Sequence, residues 1–370
     1  MFRKGPMRKL RLAVVGVGHL GKEHARILGG MGDVDLVAVV DKNPAQARAI
    51  AEKCGTKSCT DARELIGLVD AVSIVVPTAL HRAVAGDFIR AGIPLLVEKP
   101  LAASFAEAAE LVDLASKYGV LMQVGHIERF NPAFTELERR PLRPQFIEAE
   151  RMGIFSGRAM DVGVVFDLMI HDIDLALHLA RSPVQQVEAV GMALFGGHED
   201  IAHARLVFEN GAMAHLKASR ISATSSRRLS CFGAEGFAEI DFAQRQLKLT
   251  QPSYKLRREG VPFARLNATQ IGAVKERLFV DYLETLDLSR KDGDQLTLEL
   301  RHFLDCIRLG RQPKVSGGEA LRAIEVATRI VEALQKHRWA GSTAAIGPQE
   351  LQLLSQGQLF DPGMETAKAA

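Results

Sequence analysis

Three ionisable side chains in the second half of the sequence are the first indication of proton-transfer chemistry. Asp167, His171 and Asp174 are spaced i, i+4 and i+7, so they share one face of a predicted helix whose other residues are mostly apolar. The pattern fits a structural histidine with a supporting aspartate. It also fits a general base that takes a hydroxyl proton, because histidine titrates near neutral pH. A metal site is less well supported, since no cluster of further ligands is apparent in the sequence.

The motif Glu98-Lys99-Pro100 is the second candidate for chemistry. It directly follows a short apolar run, Leu95–Val97, which we expect to be a strand of a parallel sheet. Open sheets of this kind bind ligands at the carboxyl ends of their strands. Lys99 is therefore either a solvated surface residue or a group placed to orient a substrate.

A glycine motif at residues 16–21 indicates a dinucleotide site. The pattern G-x-G-x-x-G follows a predicted strand and opens a helix, which permits a tight turn, a close approach of pyrophosphate and close packing of the helix. Asp41 ends the next predicted strand, where a carboxylate binds the hydroxyls of the adenosine ribose. A carboxylate there repels the 2′-phosphate of NADP and so favours NAD, although the neighbouring Lys42 weakens this repulsion. The alternative is a glycine turn in a fold that binds another ligand. The predicted cofactor-binding residues are Gly16, Gly18, His19, Leu20, Gly21 and Asp41.

Consecutive βα units must position these motifs. From Leu10 to about Gly125, β-branched runs alternate with amphipathic helical patterns, which predicts a doubly wound parallel sheet. We expect Pro44 in the first turn of a helix and Ser104 as an N-cap. The predicted strands are Arg11–Val15, Leu36–Val40, Ala71–Val76, Leu95–Val97 and Leu121–Val124, and the predicted helices are Gly21–Leu28, Pro44–Lys53, His81–Ala91 and Ser104–Tyr118.

The second half of the chain predicts an α+β domain with a large, mainly antiparallel sheet. Val164–Ala180 has the pattern of one amphipathic helix, and Asn210-Gly211 is a hairpin signal. We divide the chain into a first domain at 1–126, a second at 127–340 and a C-terminal tail or arm at 341–370. The predicted strands are Val187–Leu194, Ala204–Phe208, Ala212–Ala218, Arg228–Phe232, Ala238–Phe242 and Gln246–Leu249, and the closing helices are Leu298–Leu309 and Gly318–Lys336.

The composition excludes several classes of protein. The chain has 370 residues, 47% of them hydrophobic, and a formal net charge of +3, which are values of an ordinary globular protein and not of a disordered or fibrous one. The charge indicates no nucleic-acid or membrane partner, and no apolar run approaches the ~18 residues of a membrane span. The four cysteines form no C-x-x-C pair, so we expect reduced thiols, no metal centre and a cytoplasmic location. The basic N-terminus is followed by no cleavage site of a secretory signal.

The order of these motifs resembles that of the Gfo/Idh/MocA family, the sugar and inositol dehydrogenases related to glucose-fructose oxidoreductase. The resemblance extends from about Leu10 to Leu334. It implies an N-terminal Rossmann domain that binds NAD, and a C-terminal domain whose open sheet covers the substrate and mediates assembly into a homodimer or homotetramer. The motifs that carry it are the glycine turn with Asp41, Pro77-Thr78-Ala79-Leu80-His81, Glu98-Lys99-Pro100, Arg129-Phe130-Asn131-Pro132, the Asp167/His171/Asp174 helix and Pro313–Gly317.

The same resemblance implies roles for individual residues. Lys99 corresponds to the lysine that contacts substrate and nicotinamide ribose, His171 to the general base, and Asp167 to the acid that holds the substrate or the imidazole. The residues implied at the nicotinamide end of the cofactor are Thr78, His81 and Glu98. Two positions depart from the family pattern, since Met169 stands where many members have glycine and Ala79 where asparagine is common. We therefore expect a differently shaped pocket wall with all catalytic groups retained.

Smaller similarities bear on the substrate. Val124–Pro132, the 169–174 stretch and Ala218-Ser219-Arg220 are most similar to members that act on nucleotide sugars, particularly UDP-N-acetylglucosamine 3-dehydrogenases. This implies a 3-ketone that an aminotransferase can aminate for lipid A or other envelope glycans. A diphosphate needs cationic partners, for which Arg158 and Arg220 are candidates, although any one arginine is more simply a solvated surface residue. His126 is expected near the nicotinamide or sugar, or packed at a domain hinge.

Two alternatives remain open. A dehydrogenase of a free polyol such as myo-inositol needs the same catalytic groups but no diphosphate pocket. A non-catalytic NAD-binding regulator needs the glycine turn but has no use for Lys99 and His171 together, so the presence of both argues against it.

Overall fold

The computed structural model describes residues 8–157, 162–194, 198–290 and 293–337. The chain forms two compact units, the first from residues up to 136 together with 290–325, and the second from 137–289 together with residues from 326 on. The first unit thus extends to residue 136, ten residues beyond the predicted boundary at 126. Residues 290–325, which we assigned to the second domain, also belong to the first unit. The predicted tail lies outside the described residues. No helix in the described ranges is long and apolar enough to span a membrane.

A six-stranded parallel sheet forms the centre of the first unit. Its strands are β1 (Leu10–Val15), β2 (Val34–Val40), β3 (Lys57–Cys59), β4 (Ala71–Ile74), β5 (Leu95–Glu98) and β6 (Met122–Gly125). They lie in the order β3-β2-β1-β4-β5-β6 with every neighbouring pair parallel, which confirms the predicted doubly wound sheet. The order reverses between β1 and β4, and a ligand crevice forms outside the carboxyl ends of strands at such a point.

Local sequence sets the ends of the helices that cover this sheet. They are α1 (Gly21–Gly30), α2 (Pro44–Cys54), α3 (His81–Arg90) and α4 (Phe105–Tyr118). A further helix, α5 (Pro132–Glu138), follows at the end of the unit's first segment. As predicted, Pro44 lies in the first turn of α2, and the Ser104 side chain accepts the Glu107 N–H at the start of α4. Gly119 ends α4 in the left-handed conformation, with a φ of 64°.

The second unit is built on an eight-stranded sheet. Its strands are β7 (Phe146–Met152), β8 (Val184–Met192), β9 (Ile201–Phe208), β10 (Met213–Ser219), β11 (Ser226–Gly233), β12 (Gly236–Asp241), β13 (Gln246–Pro252) and β14 (Leu283–Asp287). The order is β14-β13-β12-β11-β7-β10-β9-β8, and only the central β7–β10 pair is parallel. The mainly antiparallel sheet is therefore confirmed, while β7 and β14 were not predicted.

A helical segment before β8 packs on this sheet. It consists of a π-turn at Val165–Met169 that continues directly into α6 (Ile170–Ala180). Arg151 on β7 holds α6 through a buried ion pair, in which its Nη2 lies 2.7 Å from Oδ1 of Asp172. Further helices, α7 (Tyr254–Glu259) and α8 (Ala268–Glu276), lie between β13 and β14 in a region for which the sequence pattern predicted no element.

Two long helices follow, α9 (Gln295–Leu309) and α10 (Gly317–Lys336). Leu300, Phe303 and Leu304 on α9 are buried in the same core cluster as Leu12 of β1 and Leu28 of α1. Burial of this apolar face is the reason that α9 belongs to the first unit, although it follows the whole second sheet in the sequence.

An ion-pair cluster supports the packing of α9. The Asp33 carboxylate, at the turn between α1 and β2, lies 2.6 Å from a guanidinium nitrogen of Arg301 and 2.6 Å from one of Arg308. These hydrogen-bonded cations, Arg301 foremost, hold the pKa of Asp33 down to about 2. The carboxylate therefore stays ionised at any pH at which the protein is ordinarily handled.

We predict that Asp33→Asn lowers the free energy of unfolding by about 1 kcal/mol at pH 6, because two charge-assisted contacts of a partly exposed carboxylate are lost. The folded-state pKa is depressed, so this contribution is complete above the unfolded pKa of about 4 and is lost as the pH falls through about 2. Urea unfolding at pH 6 and pH 3 should show the difference between the two proteins shrinking. Asp35→Asn, an exposed neighbour on β2, is the control, and an equal effect of both substitutions would contradict the ion-pair account.

Candidate active-site residues

Each glycine of the turn between β1 and α1 is required for a different reason. Gly16 has a φ of +86°, and a Cβ there would lie 2.6 Å from the Val75 carbonyl oxygen. A Cβ on Gly21 would lie 1.8 Å from the Gly16 carbonyl oxygen, so only glycine lets α1 begin this close to the turn. A Cβ on Gly18 would meet no atom within 4 Å. Gly18 thus borders open space on the side from which a pyrophosphate approaches the backbone in this type of turn.

A cavity of about 880 Å³ lies beside this turn. The Asp41 carboxylate accepts the Val17 N–H at 3.1 Å and the Asn43 N–H at 2.9 Å, and each oxygen keeps a lone pair for a ribose hydroxyl. No described side chain caps the N-terminus of α1, where the Lys22 N–H donates to the Gly18 carbonyl oxygen and the Glu23 N–H to that of Leu20. The positive end of the helix dipole at this turn suits phosphate oxygens. These features fit a dinucleotide. The predicted cofactor residues that line the cavity are Gly16, Gly18, His19 and Asp41.

Other predicted cofactor residues lie outside this lining. Leu20 is exposed at the start of α1, and Thr78 is half-buried in the short turn after β4. His81 is buried, with its Nδ1 3.0 Å from the Pro100 carbonyl oxygen and its Nε2 2.9 Å from that of Val76. Burial lowers the pKa of its ring. His81 thus links the chain after β4 to the chain after β5, and its contact with nicotinamide stays a prediction.

Glu98 and Lys99 lie at the end of β5, as predicted. His24 and Ser73, which form a buried polar chain with Glu98, were not identified from the sequence. Glu98 is buried and its Oε2 accepts the Lys99 N–H at 3.2 Å, while Lys99 itself is half-buried. Nε2 of His24 on α1 lies 3.2 Å from Oε1 of Glu98, and Nδ1 of His24 lies 2.8 Å from the Ser73 hydroxyl on β4. The available signal was the position of His24, three residues after Gly21 on the buried face of α1.

The predicted proton-transfer residues belong to the second unit. Asp167 lies in the π-turn and His171 in the first turn of α6, and both are half-buried, whereas Asp174 is only 3% exposed. A π-turn has more residues per turn than an α-helix, so it changes the angular position of Asp167 relative to α6. The uniform helix predicted from periodicity is therefore corrected to a helix with a π-turn, a feature found frequently at functional sites.

Glu199 positions the start of this helical segment, and no motif in the sequence indicated it. Its Oε1 accepts the Val165 N–H at 3.0 Å, and its backbone carbonyl accepts the Val164 N–H at 2.9 Å. A Cβ on Gly163 would lie 2.0 Å from that Oε1, so glycine is needed there. Burial raises the pKa of the Glu199 carboxyl. The contacts anchor the turn that carries Asp167.

Arg220 is buried and contacts other residues of its own unit. Its Nε donates to Oδ1 of Asp200 at 2.6 Å, and its Nη1 donates to the Val162 carbonyl oxygen at 2.8 Å. These contacts hold the chain immediately before the π-turn, and the predicted contact of Arg220 with a substrate diphosphate stays a prediction. Arg158 lies outside the described residues. His126, in the first unit, is 1% exposed.

Family models match both units. A model described as "Oxidoreductase family, NAD-binding Rossmann fold" matches residues 10–126. A second, described as "Oxidoreductase family, C-terminal alpha/beta domain", matches residues 157–341. Together they extend over most of the chain.

Individual proteins are similar over nearly the same length. UDP-N-acetylglucosamine 3-dehydrogenase of Acidithiobacillus ferrooxidans is 33% identical over 89% of this chain and 98% of that protein. The scyllo-inositol 2-dehydrogenase (NAD(+)) of Bacillus subtilis is 27% identical over 86% of this chain and 92% of the relative. A solved structure of the Acidithiobacillus enzyme, GnnA, superposes with a TM-score of 0.78 at 31% identity, covering 89% of this chain and 99% of that one.

We predict that Gly18→Ala leaves the fold intact but weakens dinucleotide binding at least ~10-fold, because the new methyl group projects into the space where a pyrophosphate approaches. Fluorescence titration with NADH measures the binding, and thermal unfolding without ligand measures the stability. Gly30→Ala is the matched control, since a Cβ on Gly30 also meets no atom within 4 Å. Equal weakening in both variants would contradict the role of Gly18.

Proposed function

The chain belongs to the Gfo/Idh/MocA oxidoreductase family, and we propose that it is an NAD-dependent dehydrogenase that oxidises the C3 hydroxyl of UDP-N-acetylglucosamine to a ketone. The observation that carries the proposal is the 33% identity with a UDP-N-acetylglucosamine 3-dehydrogenase over 98% of that protein. The similarity thus includes the regions of both family models. Inositol dehydrogenases are also similar, so family membership by itself supports an NAD-type sugar oxidoreductase and leaves the substrate to experiment.

Oxidation of a ring hydroxyl removes a hydride from carbon and a proton from oxygen. The nicotinamide of bound NAD supplies the hydride acceptor. We assign His171 as the base that takes the hydroxyl proton onto a ring nitrogen. For Lys99 we propose the role that the family resemblance implies, a hydrogen bond to the substrate that stabilises developing negative charge. Asp167 orients the imidazole or the sugar, and the products are a ketone, reduced cofactor and a protonated base.

We expect mass spectrometry of UDP-N-acetylglucosamine incubated with the enzyme and NAD to show a product lighter by two hydrogen atoms. A parallel reaction should contain 2-oxoglutarate as hydride acceptor, because a cofactor that stays bound must be reoxidised before a second turnover. NMR of the product then identifies the oxidised carbon.

A third reaction with myo-inositol separates the alternatives. Oxidation of myo-inositol alone would contradict the nucleotide-sugar proposal and support a free-polyol dehydrogenase. Binding of NADH without oxidation of either compound would support a non-catalytic regulator.

His171→Ala is expected to lower kcat by ~10²–10⁴-fold, the usual contribution of a general base, and to leave the Kd of NADH unchanged. Steady-state kinetics and NADH titration measure the two quantities. His178→Ala is the matched control, because His178 lies on the same helix with its Nε2 2.6 Å from Glu138. A similar loss of kcat in both variants would argue for a general disturbance of α6.

Asp41→Ala is expected to raise the ratio of kcat/KM for NADP to that for NAD at least ~10-fold, because removal of the carboxylate removes its repulsion of a 2′-phosphate. The exposed Asp35 on β2, the strand that Asp41 directly follows, provides the control, Asp35→Ala. An unchanged ratio in Asp41→Ala would place the ribose elsewhere.

Two proposals concern partners. We propose a homodimer or homotetramer, the assembly that the family resemblance implies, with the open face of the second unit's sheet, which carries Glu188 and Arg205, as the interface. Light scattering of the purified protein measures its mass. We also propose that an aminotransferase consumes the ketone.

A further inference from the structure

A chain of three buried polar side chains runs through the interior of the first unit. The Ser73 hydroxyl on β4 lies 2.8 Å from Nδ1 of His24, and Nε2 of His24 lies 3.2 Å from Oε1 of Glu98. Ser73 and His24 are both 0% exposed, and Glu98 is 7% exposed. A histidine on a helix thus joins the end of one strand, β5, to the interior of its neighbour, β4.

The Glu98 carboxylate is held from two other sides. Its Oε2 accepts the Lys99 N–H at 3.2 Å. A Cβ on Gly125, at the end of β6, would lie 2.7 Å from its Oε1, so the carboxylate occupies the space that a side chain would need there. A backbone donor, a histidine and a glycine therefore fix one carboxylate at the carboxyl edge of the sheet.

The position of this carboxylate in the sheet gives it an electrostatic consequence. In a doubly wound sheet with this strand order, one half binds the first mononucleotide of a dinucleotide and the half formed by β4, β5 and β6 binds the second. For NAD the second mononucleotide carries the nicotinamide, which is cationic when oxidised and neutral when reduced. An anion buried near it stabilises the oxidised form, and charge near the reactive ring is a means by which proteins tune such cofactors.

We propose that His24 is a positioning residue that fixes the Glu98 carboxylate at the nicotinamide half of the site, and that the Ser73–His24–Glu98 chain thereby sets the relative affinity for oxidised and reduced cofactor. The inference rests on the proposed function, because it requires NAD to bind in the first unit. It adds a role for two residues that touch neither cofactor nor substrate.

The hydrogen-bonding capacity of the three groups supports this arrangement. A neutral imidazole donates from one nitrogen and accepts at the other. With the Ser73 hydroxyl donating to Nδ1, the ring proton lies on Nε2, 3.2 Å from Oε1 of Glu98, where the contact is electrostatic and lacks the geometry of a hydrogen bond. A leucine in place of His24 would leave the buried carboxylate without this polar neighbour. The carboxylate would then be free to move towards water, which removes negative charge from the nicotinamide half.

The test compares the Kd of NAD⁺, from calorimetry, with the Kd of NADH, from fluorescence titration. In His24→Leu we expect the ratio of the Kd of NAD⁺ to the Kd of NADH to rise ~10-fold. This rise is equivalent to a change of about 30 mV in the reduction potential of the bound two-electron couple. His24→Gln, whose amide nitrogen can reach the place of Nε2, should restore most of the wild-type ratio. Gly125→Ala should change the ratio in the same direction as His24→Leu, because it displaces the same carboxylate.

The ratio separates positioning from a purely structural effect. A variant that merely disturbs the fold weakens both forms of the cofactor together and leaves the ratio unchanged, which for His24→Leu would overturn the inference. If that variant does not fold, Ser73→Ala and Gly125→Ala carry the test, and an unchanged ratio in both would overturn it. His302→Leu is the control for loss of a histidine on a helix of the same unit, and its ratio should match the wild type. Wild-type protein that binds neither form would overturn the proposed function itself.

Discussion

The close approach of α1 to the parallel sheet is the constraint on which the first unit depends. A Cβ on Gly21 would lie 1.8 Å from the Gly16 carbonyl oxygen, so the helix can begin there only without a side chain. This proximity carries the buried face of α1 to β4 and β5, where His24 meets Glu98. It also brings the backbone of the turn to the Asp41 carboxylate at the end of β2. One steric requirement thus shapes both the cavity for a dinucleotide and the polar chain behind it.

In the second unit, buried ion pairs fix the position of the helical segment that carries Asp167 and His171. The pair of Arg151 and Asp172 attaches α6 to the central strand, and the pair of Arg220 and Asp200 holds the chain before the π-turn. Burial of charges costs desolvation free energy that such pairs recover only in part, so their main effect is on geometry. They fix a helix on which His171 is half-buried and therefore within reach of solvent or ligand.

The parts of the fold that followed from the sequence have simple periodic signals. Strands of the parallel sheet are buried on both faces and appear as continuous apolar runs, so five of the six were recognised. The missing one, β3, has only three residues, of which two are exposed and one is half-buried. The central strand β7 escaped recognition because Arg151 points inward to Asp172, which replaces an apolar residue in the alternation that would have identified it.

In the candidate site too, residues of a local motif were predicted from the sequence and residues joined by long-range contacts were not. Gly18 and Asp41 belong to a local motif whose meaning follows from spacing, and the structure places both at one cavity. The contact of His24 with Ser73 joins residues 49 positions apart, and that of Glu199 with Val165 joins residues 34 positions apart, so neither follows from local pattern. The π-turn has no propensity signal of its own, and it depends on tertiary contacts such as the Glu199 cap.

The return of α9 to the first unit has a consequence for biosynthesis. The apolar residues Leu300 and Phe303 belong to the core around β1. A nascent chain emerges from the ribosome with its N-terminal end first, so the strands of the parallel sheet are synthesised early. Part of their apolar surface stays uncovered while the entire second sheet is translated. Only after residue 304 has emerged can that surface be covered. The nucleotide-binding half of this protein is thus the first to be synthesised and among the last to be completed.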